Sequence, residues 1–138
     1  MVAYTKYEDF IEQVVRAKHD FGSATFKVAL SNAAPSAAHT TLSQITELAT
    51  ANGYTAGGLT VPVTVAETGG TVTVSCTDPS PWTASGAGIT FRYAALYNDT
   101  QSSPSKPLVA HWDNGSSQTV TAGNTLQLDL AATLFTAS

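Results

Sequence analysis

His111-Trp112-Asp113 is an H-x-D at the end of a predicted strand, and such a pair could bind a metal or serve a catalytic imidazole. Two ligands at a hairpin fall short of the three or four a zinc site uses, and Asp113 equally suits the start of a turn. His19 closes a predicted helix, where a cation is favoured without further function, and His39 lies in a loop. Cys76 is the only cysteine, which excludes an intrachain disulfide and a cysteine-based metal site; within TVTVSCT it reads as a small buried apolar side chain. The carboxylates of the C-terminal part, Glu67, Asp78, Asp99, Asp113 and Asp129, fall mostly at turns or strand ends. Two of them could meet in space as a glycosidase pair, but no spacing selects one. The chain has no G-x-S-x-G, P-loop, dinucleotide glycine pattern or EF-hand. Gly53-Tyr54-Thr55-Ala56-Gly57-Gly58 follows a predicted helix and carries no Lys for phosphate, so its glycines read as a sharp turn from helix to strand. The expectation is a protein that is not an enzyme and has no cofactor or metal.

Sugar binding would need flat rings facing solvent, and Trp82, Trp112, Tyr93 and Tyr97 are the candidates. Tyr93 and Tyr97 share a strand face with Phe91 and belong in a core. Trp82, in a Pro-Ser-Pro-Trp loop, is the best candidate for an exposed ring and so for a carbohydrate contact.

The elements that must position these residues follow from periodicity. A helix is expected over residues 5–20, with Thr5 and Glu8 as a capping box, an apolar stripe of Tyr7, Phe10, Ile11, Val14 and Val15, and Gly22 at its end. A short second helix is expected over 41–51, with Thr41 and Gln44 as another box and Asn52-Gly53 as the stop. Strands are expected within 25–30 and 59–131. Val61, Val63 and Val65 alternate around Pro62, which demands an edge or a bulge. Thr68-Gly69-Gly70 turns that strand into Thr71–Thr77, a hairpin. Ile89–Tyr97 and Leu108–Trp112 follow, then a turn at Asp113-Asn114-Gly115, a return over Gln118–Thr121, and a last strand carrying Leu126, Leu128 and Leu130. The sum is a single α+β domain over 1–138, dominated by β: an antiparallel β-sandwich of about six or seven strands with an N-terminal amphipathic helix and one short second helix.

Ile89–Tyr97 is apolar on both faces. Phe91, Tyr93 and Tyr97 are expected to point into the sandwich, leaving Arg92, Ala94 and Leu96 toward the helical layer or a neighbouring subunit. Arg92 and Leu96, with Phe10 and Val14 of the helix, are therefore the candidate interface residues.

Bulk composition narrows the partners. The charged fraction is 12 %, about half the usual share, which fits a surface spent against other protein. The net charge is −4, and Lys6, Arg16, Lys18, Lys27, Arg92 and Lys106 are scattered, so no nucleic-acid footprint exists. No apolar run approaches the roughly 20 residues of a membrane span. MVAYTKYEDF lacks the basic and apolar segments of a signal peptide, so synthesis in a cytoplasm is expected and the two N-x-S/T sequons, at Asn98 and Asn114, read as turns.

GYTAGGLTV (Gly53–Val61), ITFRYAALYNDT (Ile89–Thr100) and PLVAHWDNGSS (Pro107–Ser117), in that order, resemble a group of small virion structural proteins of tailed bacteriophages. The resemblance spans most of the chain and carries no catalytic residue. It implies a non-enzymatic virion component made in the host cytoplasm, with capsid decoration as the first role. The partners it implies are other virion proteins, the major capsid protein or tail proteins, and further copies in a homo-oligomer. The alternative is a tail or receptor-contacting carbohydrate-binding module.

Overall fold

The computed structural model describes residues 3–138. In chain order the elements are β1 (Ala3–Lys6), α1 (Phe10–Val15), β2 (Phe26–Ser31), a 3-10 turn (Leu42–Gln44), β3 (Leu59–Thr60), β4 (Val63–Thr68), β5 (Thr71–Cys76), β6 (Trp82–Thr83), β7 (Ile89–Asn98), β8 (Leu108–Val120), β9 (Thr125–Leu126) and β10 (Ala132–Ala137). The fold is β-dominated, with multiple antiparallel sheets and one α-helix. One sheet runs β1-β8-β7-β2-β3, a second β10-β5-β4, and a third pairs β6 with β9.

The first departure from the sequence reading is the N-terminus. The helix expected over 5–20 is six residues long, and Thr5 caps nothing: it lies in β1 opposite His111. Pairing with β8 gives this segment backbone partners and covers an edge that a long strand would otherwise expose. Tyr4 adds a hydroxyl bond to the Leu134 carbonyl, 2.7 Å. The helix stops well before Gly22, because Ala17 takes a left-handed φ of 58°. The Asp20 carboxylate then accepts the Gly22 N–H and holds a tight bend.

The second helix, expected over 41–51, is a single 3-10 turn. Gln44 does serve its start, its side-chain oxygen accepting the N–H groups of Thr40 and Thr41 at 2.7 and 3.2 Å. From Ile45 onward the chain is extended, because it runs beside β2: Leu48 N–H bonds to the Leu30 carbonyl and Ser31 bridges Glu47. Ile45 and Leu48 are spaced as in a helix, yet the unpaired groups of β2 offer this segment a better set of backbone partners.

Pro62 breaks the chain between two sheets, so that Leu59–Thr60 pairs with β2 and Val63–Thr68 forms an edge beside β5. The β4–β5 hairpin turns at Gly69-Gly70, both with positive φ, as a two-residue hairpin turn requires. Asp113-Asn114-Gly115 is not a turn between two strands. β8 runs unbroken through it with a bulge: between the pairs Phe91–Gln118 and Tyr93–Asp113, β8 takes five residue steps against two on β7. The last expected strand is paired only at Thr125–Leu126, although Leu128 and Leu130 are buried as predicted. Asp78 accepts the N–H groups of Leu130 and Ala131 instead of a neighbouring strand doing so. Strands β1 and β10 lie outside the expected ranges; β10 pairs with β5 and buries Leu134.

The five-stranded sheet is covered on both faces around β7. Ala94 and Leu96 lie beside Leu30 and Val28 on one face, with no exposure. That face meets an aromatic cluster in which Phe10, Phe21 and Phe26 gather around His19 and Phe135 packs on Phe10 and Phe21. On the other face Tyr97 reaches the segment that follows the 3-10 turn, its hydroxyl donating to the Gly57 carbonyl at 2.6 Å.

Candidate functional site

The β7–β8 bulge carries an ion pair held in a two-point geometry. Arg92 on β7 forks onto Asp113 on β8, Nε to Oδ1 at 3.0 Å and Nη2 to Oδ2 at 3.1 Å. The guanidinium also sits over the Tyr93 ring, 5.1 Å from its centre. The bulge loops back through Gly115, whose N–H donates to Asp113 Oδ1 at 2.8 Å. Hydrogen bonding to Asp113 raises the Arg92 pKa, and the same bond holds the Asp113 carboxyl below its ordinary value. Both side chains are about a third exposed, so solvent screens the attraction, and Arg92 needs no acceptor from another subunit. Beside the pair lies a groove of about 310 Å³, lined by Phe91, Asn114, Gln118, Thr125, Gln127 and Asp129. Its amides are engaged within the chain: Asn114 Nδ2 donates to the Ser116 carbonyl and Gln127 Nε2 to that of Pro79.

The H-x-D does not form a dyad. Asp113 is taken by Arg92, and His111 packs its half-buried ring 5.0 Å from Tyr7. Burial lowers the His111 pKa, against a smaller upward push from Asp113. Among the described residues no three His, Cys, Asp or Glu come together as a metal site. Cys76 is buried as expected, its thiol donating to the Leu130 carbonyl at 3.3 Å, and burial pushes its pKa up. The other carboxylates of the β-rich part hold the fold. Asp99 pairs with Lys27 and Lys106 at 2.9 and 3.3 Å, and Glu67 accepts the Gly70 N–H in the hairpin turn.

The GYTAGG segment turns out to be a folding device. The Tyr54 hydroxyl accepts the Leu30 N–H at 3.0 Å and donates to Glu47 at 2.6 Å, and Glu47 also receives the Gly57 N–H. Burial, then the bond to Glu47, drives the Tyr54 pKa up, so the phenol stays protonated. Tyr54→Phe orphans the Leu30 N–H and one carboxylate bond, and is expected to cost about 1–3 kcal/mol in urea unfolding without altering the fold.

The residues proposed for contact are placed differently from the sequence reading. Leu96 and Phe10 are wholly buried in their own chain and so are not free to meet a partner, while Val14 is half-buried against the core. Trp82 is 4 % exposed and lies 6.0 Å from the Tyr54 ring, so it offers no platform to a sugar. Its PSPW context reads as a loop, but β6 pairs with β9 and turns the ring inward. Among the described residues, the large apolar side chains that do face outward are Ile11 and Val15 on α1, and Val65 on β4. The predicted stripe on the first helix contains Ile11 and Val15, but the four apolar residues of that stripe within the six-residue helix encircle more of it than one core face can cover. The chain matches no family model, no curated protein and no solved structure.

Proposed function

We propose that this chain is a non-enzymatic structural protein of a bacteriophage virion, in the first place a capsid decoration or cement protein that acts by protein–protein contact. In this reading the five-stranded and three-stranded sheets are the two layers of a β-sandwich, and the partners are the major capsid protein or tail proteins together with further copies of the chain. The observation that carries the reading is the kind of surface left outside the core. In a chain with 12 % charged residues, Ile11, Val15 and Val65 stay exposed on a helix and an edge strand. Isolated exposed apolar residues are ordinary, but their combination with an unguarded sheet edge suits assembly. The order of the three quoted motifs supports the same reading. Their residues serve packing: Tyr54 anchors β2, and Leu96, Leu108 and Val109 are buried in the central sheet.

Peptide mass spectrometry and immunogold microscopy of purified particles test this. Regular label over heads is the expected result. Label confined to tails would move the protein to the tail alternative, and particles free of both label and peptides would end the virion reading.

A further inference from the structure

We propose that β4 is a self-association edge, pairing antiparallel with β4 of a second copy about a two-fold axis centred on Val65. The inference starts from the hairpin's hydrogen-bond phase. Thr77 N–H donates to the Pro62 carbonyl, and Pro62 is followed by the pair Val63–Cys76. Backbone direction alternates along a strand, so Thr64, Ala66 and Thr68 turn their N–H and C=O groups to β5. Val63, Val65 and Glu67 turn theirs to the outside, where β4 is the last strand of its sheet. Among the described residues none of these groups has a backbone partner.

Edges of this kind are normally guarded by Lys, Pro, a bulge or a cover. VTVAET has no Lys, no Pro, no bulge, and pairs in regular register over all six residues. Its one charge, Glu67, is folded back onto the Gly70 N–H at 2.6 Å. The side chains make the second argument. Val63 and Val65 share a face with Val74 and Cys76 of β5, both buried. This apolar row runs out of the core and ends at Val65, which is 50 % exposed.

A second copy completes both features at once. Centring the two-fold axis on Val65 pairs Val65 with Val65, and Val63 with Glu67 of the second copy. All the outward groups are then used, in about six backbone hydrogen bonds. Centring it on Glu67 would set carboxylate against carboxylate, which like charges disfavour. The chosen register continues the valine row across the axis and joins two three-stranded sheets into one. Contact through one strand is smaller than the roughly 1,200 Å² of a stable complex, so the dimer is weak alone and gains from repetition in an assembly. The inference stands on the edge itself and does not rest on the virion reading.

Sedimentation velocity on the purified chain from about 5 µM to about 1 mM tests it, because dissociation constants in that range fit a contact of this size. The expected result is a rise from monomer to dimer. Val65→Lys, at an exposed position, is expected to leave the circular dichroism unchanged and weaken the dimer about tenfold or more by opposing two ammonium groups. Val65→Cys is expected to give a disulfide-linked dimer on mild oxidation, since paired Cα atoms about 5.5 Å apart lie within disulfide reach. Wild type, with Cys76 buried, should give none. A chain that stays monomeric to about 1 mM, a dimer indifferent to Val65→Lys, or a Val65→Cys variant that fails to cross-link would each overturn the proposal.

Discussion

Gly58→Ala is expected to cost more than about 4 kcal/mol in urea unfolding, a large share of the stability of an ordinary domain. Gly58 sits where the 53–58 turn closes against the middle of β2, and a Cβ there would overlap the carbonyl oxygen of Val28. That carbonyl belongs to a strand paired on both sides, Val28 with Leu96 of β7 and with Leu59 of β3. It cannot move aside without breaking ladder bonds at the centre of the sheet. The φ of +69° adds a further strain of about 1–2 kcal/mol for any residue with a Cβ. The two contributions can be separated. Gly69 has a φ of +59° in the hairpin turn and nothing within 4 Å of a would-be Cβ. Gly69→Ala should therefore lose only the backbone part, about 1–2 kcal/mol in urea unfolding. If Gly58→Ala proved no worse than Gly69→Ala, the turn would not be locked against β2 and the folding role given to this motif would be wrong.

The same segment shows what a sequence can and cannot disclose. Glycines at 53 and 58 announce a turn, but nothing local says that Val28, thirty residues away, stands against one of them. Short-range signals were legible: Gly69-Gly70 as a hairpin turn, Pro62 as a break at an edge, and the buried alternation of Leu126, Leu128 and Leu130. Tertiary partners decided the rest. Thr5 and Glu8 have capping-box spacing, yet β8 presents an open edge, and residues 3–6 pair with it. Arg92 looked like a charge in want of a neighbour because its acceptor lies 21 residues on, across a bulge that Asp113-Asn114-Gly115 disguises as a turn. Alternation gives the two faces of a strand but not what covers each, so the sequence leaves Leu96 toward the helical layer or a neighbouring subunit and Trp82 in a loop with its ring exposed. The aromatic cluster with Phe10 and Phe26 lies on the Leu96 face of β7, the segment over 45–58 covers the Tyr97 face, and β9 turns Trp82 inward. Val65 is the opposite case: it alternates like a core residue and stays outside because β4 is the last strand of its sheet.

Acidification from pH 6.5 to 4 is expected to remove about 3 kcal/mol of stability through His19 alone. Its imidazole is 5 % exposed, with Phe10 at 5.3 Å, Phe21 at 5.8 Å and Phe26 at 6.2 Å, and its Nδ1 lies 3.5 Å from Asn98 Nδ2. Nε2 is buried without a partner, so a proton added there finds no acceptor. Burial accordingly lowers the His19 pKa from 6.5 to about 4. Between those values the unfolded chain binds a proton that the native chain does not. Stability is therefore full above the unfolded value, falls as pH drops through the window, and the loss is complete below about 4. His111, also lowered by burial, pulls in the same direction. The carboxyls of Asp20, Asp99 and Asp113 are held below their ordinary 3.8 and lose their contribution only under that pH. Histidines thus dominate between 6.5 and 4, and carboxylates take over beneath. His19→Phe removes the titration while keeping a ring among rings, and gives up only the long contact with Asn98. Urea midpoints at pH 7, 6, 5 and 4 should fall steeply for the wild type and much less for the variant, the remaining slope belonging to His111. Parallel curves would mean that His19 takes up its proton in the native state, which its aromatic surroundings could accommodate only by opening.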